Sequence, residues 1–90
     1  MLFVTLMKRK LPMAETTARR LEWKYPEGLR VVGEYWLQTP DPAVVVITEA
    51  DSVAPMMAAL TPWSDAFDST VLPAVTAEEG LQLVKRMMGK

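Results

Sequence analysis

Two stretches of this chain, residues 1–7 and 43–47, are apolar at nearly every position, with only Thr5 interrupting the first. On a sheet with one wet face, strand residues alternate between apolar and polar because successive side chains point to opposite sides. Unbroken apolar runs of strand length therefore predict strands buried on both faces. In a chain of 90 residues, one layer of helices covers one face of a small sheet, and the second face is expected to meet another subunit. A domain this short hides a modest share of its surface, which strengthens the expectation of a partner.

The remaining elements follow from pattern and punctuation. Residues 1–8 read as the first strand, rich in Phe3, Val4 and Thr5. Leu11-Pro12 opens a helix in which Ala14, Ala18, Leu21 and Tyr25 recur at helical spacing, and Pro26-Glu27-Gly28 stops it. Residues 29–38 form the second strand, with Gly33 marking a bulge or a close helix approach. Thr39-Pro40-Asp41-Pro42 is a turn, and residues 43–49 return as the third strand of a hairpin. Asp51 or Ser52 caps a helix carrying Val53, Met56, Met57 and Leu60, which ends before Thr61-Pro62. Residues 69–75 form the last strand, and Thr76-Ala-Glu-Glu79 is a capping box for a helix reaching about Met88, with Ala77, Leu81, Val84 and Met88 on one side.

The order predicts an α+β fold: one domain over residues 1–90, a ferredoxin-like βαββαβ arrangement plus a C-terminal helix. Right-handed crossovers place the helices on one face of a four-stranded antiparallel sheet. A second subunit packing sheet against sheet would then cover the other face.

Absences narrow the chemistry. With no Cys and no His, thiolate nucleophiles, zinc sites of the Cys/His kind and histidine-based triads are excluded. Neither a nucleophile elbow nor a glycine-rich phosphate loop is present, so no nucleotide cofactor has a visible seat. Ten basic residues face eleven acidic ones, and Lys8-Arg9-Lys10 and Arg19-Arg20 read as solvated element ends, so nucleic acid is not an expected partner. The apolar start is too short to span a bilayer and lacks the order of a signal segment, which makes a cytoplasmic domain without membrane partner the expectation.

Several segments carry a family resemblance: Trp23-x-x-Pro26-x-Gly28-Leu29, the strand with Gly33 and Trp36, Thr48-Glu49, and above all Leu60-x-Pro62-Trp63-Ser64-Asp65-x-Phe67-Asp68. Over nearly its whole length the chain resembles the small prokaryotic domain-of-unknown-function family numbered 3303. That family is similar to the dimeric α/β-barrel superfamily, which includes cofactor-free monooxygenases, isomerases, haem-degrading enzymes and amino-acid-sensing domains. The resemblance implies a fold and a homodimer, and no particular reaction.

If Leu2, Val4 and Leu6 face the helices, Phe3, Thr5 and Met7 face the barrel interior, joined by Arg30, Val32, Glu34, Trp36 and Gln38 and by Asp68, Thr70 and Leu72. A bulge at Gly33 would exchange Trp36 for Tyr35. The expected ligand-binding set is therefore Thr5, Glu34, Tyr35, Trp36, Trp63, Phe67, Asp68 and Thr70. Glu34 and Asp68 are the catalytic candidates, because a carboxyl desolvated among apolar groups becomes a base near neutral pH. The structural alternative pairs Glu34 with Arg30 or an arginine of a second subunit, and lets Asp68 cap its loop. Trp63 and Phe67 either wall a pocket or pin the loop around Ser64 and Asp65 to the core. Asp65 and Asp68 fall short of a metal ligand set, so no metal and no cofactor are expected. The Met56-Met57 and Met87-Met88 pairs read as core fillers or an adaptable surface. Two functions remain: a homodimer holding a small apolar or aromatic ligand without catalysis, or a small cofactor-free monooxygenase or isomerase using a buried carboxylate.

Overall fold

The computed structural model describes residues 1–89. Its elements run β1 (Leu2–Arg9), α1 (Met13–Glu22), β2 (Leu29–Trp36), β3 (Val44–Ala50), α2 (Ala54–Leu60), a 3₁₀ turn (Thr61–Trp63), β4 (Phe67–Ala74) and α3 (Ala77–Met87). The sheet order is β2-β3-β1-β4, and every neighbouring pair is antiparallel. This is the expected α+β, ferredoxin-like arrangement. The two most apolar strands, β1 and β3, take its centre, where both backbone edges are paired.

Local chemistry explains several boundaries. Thr76 caps α3, its Oγ1 accepting from the Glu79 N–H at 3.1 Å, and Pro55 sits in the first turn of α2, where no intrahelical acceptor needs its missing N–H. Gly28 adopts a φ of +94° at the entry to β2, a conformation that side-chain-bearing residues avoid. At Gly33 the pairing of β2 with β3 shifts register. The close neighbour there is the ring of Tyr35, not a helix: a Cβ on Gly33 would stand 2.6 Å from the Tyr35 hydroxyl oxygen.

Two side assignments are corrected. Phe3, Thr5 and Met7 are the buried residues of β1, while Leu2, Val4 and Leu6 are half-buried. Their register partners Thr48 and Val46 are buried as well, and Thr48 meets Met56 of α2. Phe3, Thr5 and Met7 thus lie beneath the helices, and Leu2, Val4 and Leu6 belong to the uncovered face. The sequence pattern misleads here because both parities of β1 are apolar enough for either role.

The second correction concerns α1. Leu21 is 81% exposed and Ala14 and Ala18 are also exposed, whereas Thr16 is buried and Arg19 and Arg20 are half-buried. Two ion pairs set this rotation, Arg19 with Asp65 and Arg20 with Glu34. The helix also ends earlier than Tyr25: Trp23 is already extended, with ψ of 142°.

The main core joins Met7, Ala43, Val46, Trp63, Ala66 and Phe67, with Leu11, Trp23, Tyr25, Val44 and Leu60 packed around it. It lies on the helix side of the sheet. In contrast, α3 buries none of its residues, although Leu81, Val84 and Met88 share its apolar side.

Candidate functional site

Between α1, α2 and the β2–β3 half of the sheet lies a cavity of about 120 Å³. Its floor is made by buried residues of the core, chiefly Met7, Val46, Met56, Ala59, Trp63 and Phe67. Exposed Met13, Trp36, Leu37 and Gln38 form its rim. All three tryptophans of the chain line it, Trp23, Trp36 and Trp63.

The polar centre of the site is Glu34. Its side chain points to the helix side because its register partner is Val46. Arg20 donates to it through a fork, Nε to Oε2 at 3.0 Å and Nη2 to Oε1 at 2.9 Å. The Trp36 Nε1–H donates to Oε2 at 2.8 Å, and the Tyr25 hydroxyl donates to Oε1. Four donor contacts saturate the carboxylate. Burial by itself would raise the Glu34 carboxyl, but the bonds from Arg20, Tyr25 and Trp36 and the Arg20 charge outweigh it and hold the carboxyl below its ordinary value. Burial, reinforced by the adjacent carboxylate, pushes the Tyr25 phenol well up, and its hydrogen bond to Glu34 holds the Arg20 guanidinium in its charged form.

Aromatic rings extend this centre across the floor. Trp23 meets Tyr25 edge-on with centroids 4.6 Å apart, and Trp23 and Trp63 meet at 5.8 Å. Phe67 lies 5.8 Å from Trp63. The Arg20 guanidinium covers both Tyr25 and Trp23, at 5.4 and 5.6 Å from the ring centroids, and Arg19 covers Trp63 at 4.9 Å. Arg19 also clasps the Asp65 carboxylate with both terminal nitrogens and donates to the Pro62 carbonyl at 2.7 Å. The Trp63–Phe67 loop is thus pinned to α1 and walls the cavity at once, so the two readings of these rings describe one arrangement.

The expected ligand set divides between two faces of the sheet. Glu34, Trp36, Trp63 and Phe67 meet in the cavity. Tyr35 lies on the uncovered face beside Gly33, as do Thr70, opposite Leu6, and Asp68, opposite Lys8. Asp68 is exposed and pairs with Lys10 at 3.3 Å, so it is not a carboxyl desolvated inside a pocket. Thr5 is fully buried, but it lies outside the cavity lining, and its hydroxyl has no hydrogen-bond partner among the described residues. The partner of Glu34 is Arg20; Arg30 binds Glu49 on the other face at 2.8 Å.

Sequence reasoning passed over Arg9, Arg20, Trp23 and Tyr25 as lining residues. A usable signal existed for two of them. Pro26 biases Tyr25 toward extended backbone, and Trp23-x-Tyr25 then has the two-residue spacing that puts both rings on one side.

Among the described residues, no group of three or more His, Cys, Asp or Glu side chains is arranged to hold a metal ion, and no helix is long and apolar enough to cross a membrane. No curated protein and no solved structure matches the chain. One family model does, over residues 1–88, and its description is Domain of unknown function (DUF3303). The chain therefore belongs to the DUF3303 family.

Proposed function

We propose that this chain is a small-molecule-binding domain whose ligand, small and largely apolar, sits in the cavity between the helices and the sheet. The observation that carries the reading is the cavity itself: an apolar floor, three tryptophans around it and one fixed polar centre. Apolar walls with a few placed polar groups are the usual make-up of ligand sites. A volume of about 120 Å³ suits a single ring or a short branched chain rather than a drug-sized molecule.

Binding without catalysis fits the state of Glu34. A proton acceptor needs a free lone pair and a carboxyl tuned toward neutrality, whereas this carboxylate is saturated and held acidic. The tryptophans supply the test. Titration with benzyl alcohol, a neutral single-ring probe, is expected to change their emission along a saturable curve. A response that stays linear in probe concentration contradicts the reading.

The assembly belongs to the same proposal. Two copies pair through the uncovered sheet face, where Leu2, Val4, Leu6, Val45, Ile47 and Leu72 form an apolar patch, and α3 extends that contact. Surface area supports a second copy. The chain exposes 6240 Å², against roughly 5,300 Å² for a compact monomer of its mass. Its radius of gyration is 15.2 Å, where about 12 Å is usual for this length. The excess surface is close to the ~800 Å² that each partner contributes to a standard interface. Sheet-to-sheet pairing makes the dimeric α/β barrel, with the ligand cavities outside the barrel and beneath the helices.

A further inference from the structure

The cavity lining carries an unbalanced charge. Three charged side chains reach it, Arg9, Arg20 and Glu34. Arg20 and Glu34 neutralise each other through their forked pair. Arg9 makes none of the ion pairs of the described residues, which join Lys10 to Asp68, Arg19 to Asp65, Arg20 to Glu34 and Arg30 to Glu49. Its guanidinium likewise makes no side-chain hydrogen bond there. A half-buried arginine that lines an apolar cavity without a counter-ion is a poor default arrangement, because partial desolvation weakens its hydration and no anion repays the loss.

Position sharpens this. Arg9 ends β1, with its N–H bonded to the Pro40 carbonyl at 2.9 Å, and its register partner is Phe67 of the cavity floor. Arg9 therefore lies at the end of the cavity bounded by Leu37 and Gln38, opposite in chemistry to the saturated Glu34 centre. Gln38 and Thr17 line the same cavity with polar side chains that hold no hydrogen bond among the described residues. An apolar floor, one unspent guanidinium and neutral donors in the same lining match one class of molecule.

We infer that the ligand is a small amphiphilic anion, a single-ring or branched-chain carboxylate whose apolar body rests on the floor and whose carboxylate pairs with Arg9. This rests on the cavity being the binding site. Charge-assisted, forked hydrogen bonds are the strong kind, and arginine presents the geometry that a carboxylate accepts.

The test compares benzoate and benzamide, which share one planar shape and differ in charge, and benzylamine, a single-ring cation of similar size, by calorimetry or tryptophan emission at low salt. Benzoate is expected to bind about tenfold more tightly than benzamide, and benzylamine more weakly than both. Arg9→Gln is expected to bring the benzoate-to-benzamide ratio down to about one. Arg30→Gln, which removes the same charge from the opposite face, is expected to leave that ratio near tenfold. Equal affinity for benzoate and benzamide in the unaltered chain overturns the anionic ligand while leaving the cavity reading standing. An equal fall of the ratio in Arg30→Gln also overturns it, because overall charge and not Arg9 would then be responsible. Failure of all three probes to bind overturns the cavity reading and this inference with it.

Discussion

Arg20 grips the Glu34 carboxylate with two parallel bonds, Nε at 3.0 Å and Nη2 at 2.9 Å, and thereby ties α1 to the edge strand β2. The Glu34 side chain is 15% exposed and that of Arg20 33%, so the pair is only partly screened by solvent. Removing one partner leaves the other charge half-buried and poorly compensated. Glu34→Gln is expected to lower stability by about 1–3 kcal/mol. Arg20→Met with Glu34→Leu together is expected to lose less than the two single changes added. Urea denaturation of the unaltered chain, Glu34→Gln, Arg20→Met, Glu34→Leu and the double variant checks both expectations, and strict additivity of Arg20→Met and Glu34→Leu would count against a structural pair.

Acid should act through the same carboxylate. Burial opposes ionisation of Glu34, yet its three partners hold the carboxyl below the ordinary 4.5, so the unfolded chain binds the proton more readily than the folded one. The stabilisation is complete above about pH 4.5 and is lost as pH falls through the lower folded-state value. Asp65 and Glu49, paired with Arg19 and Arg30, act in the same direction at the exposed surface. Tyr25 works at the other extreme. Its phenol is raised above the ordinary 10.0, so the folded chain keeps a proton that the unfolded chain releases, and stability falls as pH climbs past 10. Unfolding midpoints measured across pH should show a shallower acid limb in Glu34→Gln and a shallower alkaline limb in Tyr25→Phe.

Thr5 offers a stabilising change. Its hydroxyl is fully buried in the central strand without a partner among the described residues. Thr5→Val replaces that hydroxyl with a methyl group of similar size and keeps the β-branch. The variant is expected to gain about 1 kcal/mol in denaturant unfolding. A loss of similar size would mean that the hydroxyl has a partner in solution.

The uncovered face gives the assembly prediction. Ile47 pairs with Val4 in register near the middle of the apolar patch, and Leu81 is 65% exposed on α3. Ile47→Lys is expected to convert a dimer of about twice the 10.1 kDa chain mass into monomers, because a lysine at the centre of an interface leaves a charge desolvated. Leu81→Lys, on the α3 side proposed to extend the contact, is expected to weaken dimerisation by roughly tenfold or more. Sedimentation equilibrium reads both; an unaltered chain that stays monomeric at tens of micromolar removes this part of the account.

Much of the architecture was legible because turn residues and caps act locally. Thr39-Pro40-Asp41-Pro42, Gly28 and Thr76 mark boundaries through their own backbone or side chains. The side that each element buries was harder to read. β1 is apolar on both parities, so alternation carries no information about which one faces the helices. In α1 the apolar spacing of Ala14, Ala18 and Leu21 pointed inward, yet two arginines reaching Asp65 and Glu34 decided the rotation. The site suffered the same way. Residue type and spacing point to Glu34, Trp36, Trp63 and Phe67, but they group Tyr35, Thr70 and Asp68 with them across a sheet that separates them. The partner of Glu34 lies fourteen residues upstream, a distance at which neither helical nor strand spacing gives a signal.

Methionine methyl groups report the location of the ligand most directly. Of the seven methionines, Met7, Met13 and Met56 line the cavity, whereas Met1, Met57, Met87 and Met88 lie outside it. With ¹³C-methyl-labelled methionine and saturating benzyl alcohol, NMR is expected to show shifts at Met7, Met13 and Met56 and none at the other four. Shifts confined to Met57, Met87 and Met88, or no shift at any methyl, would contradict a ligand site beneath the helices.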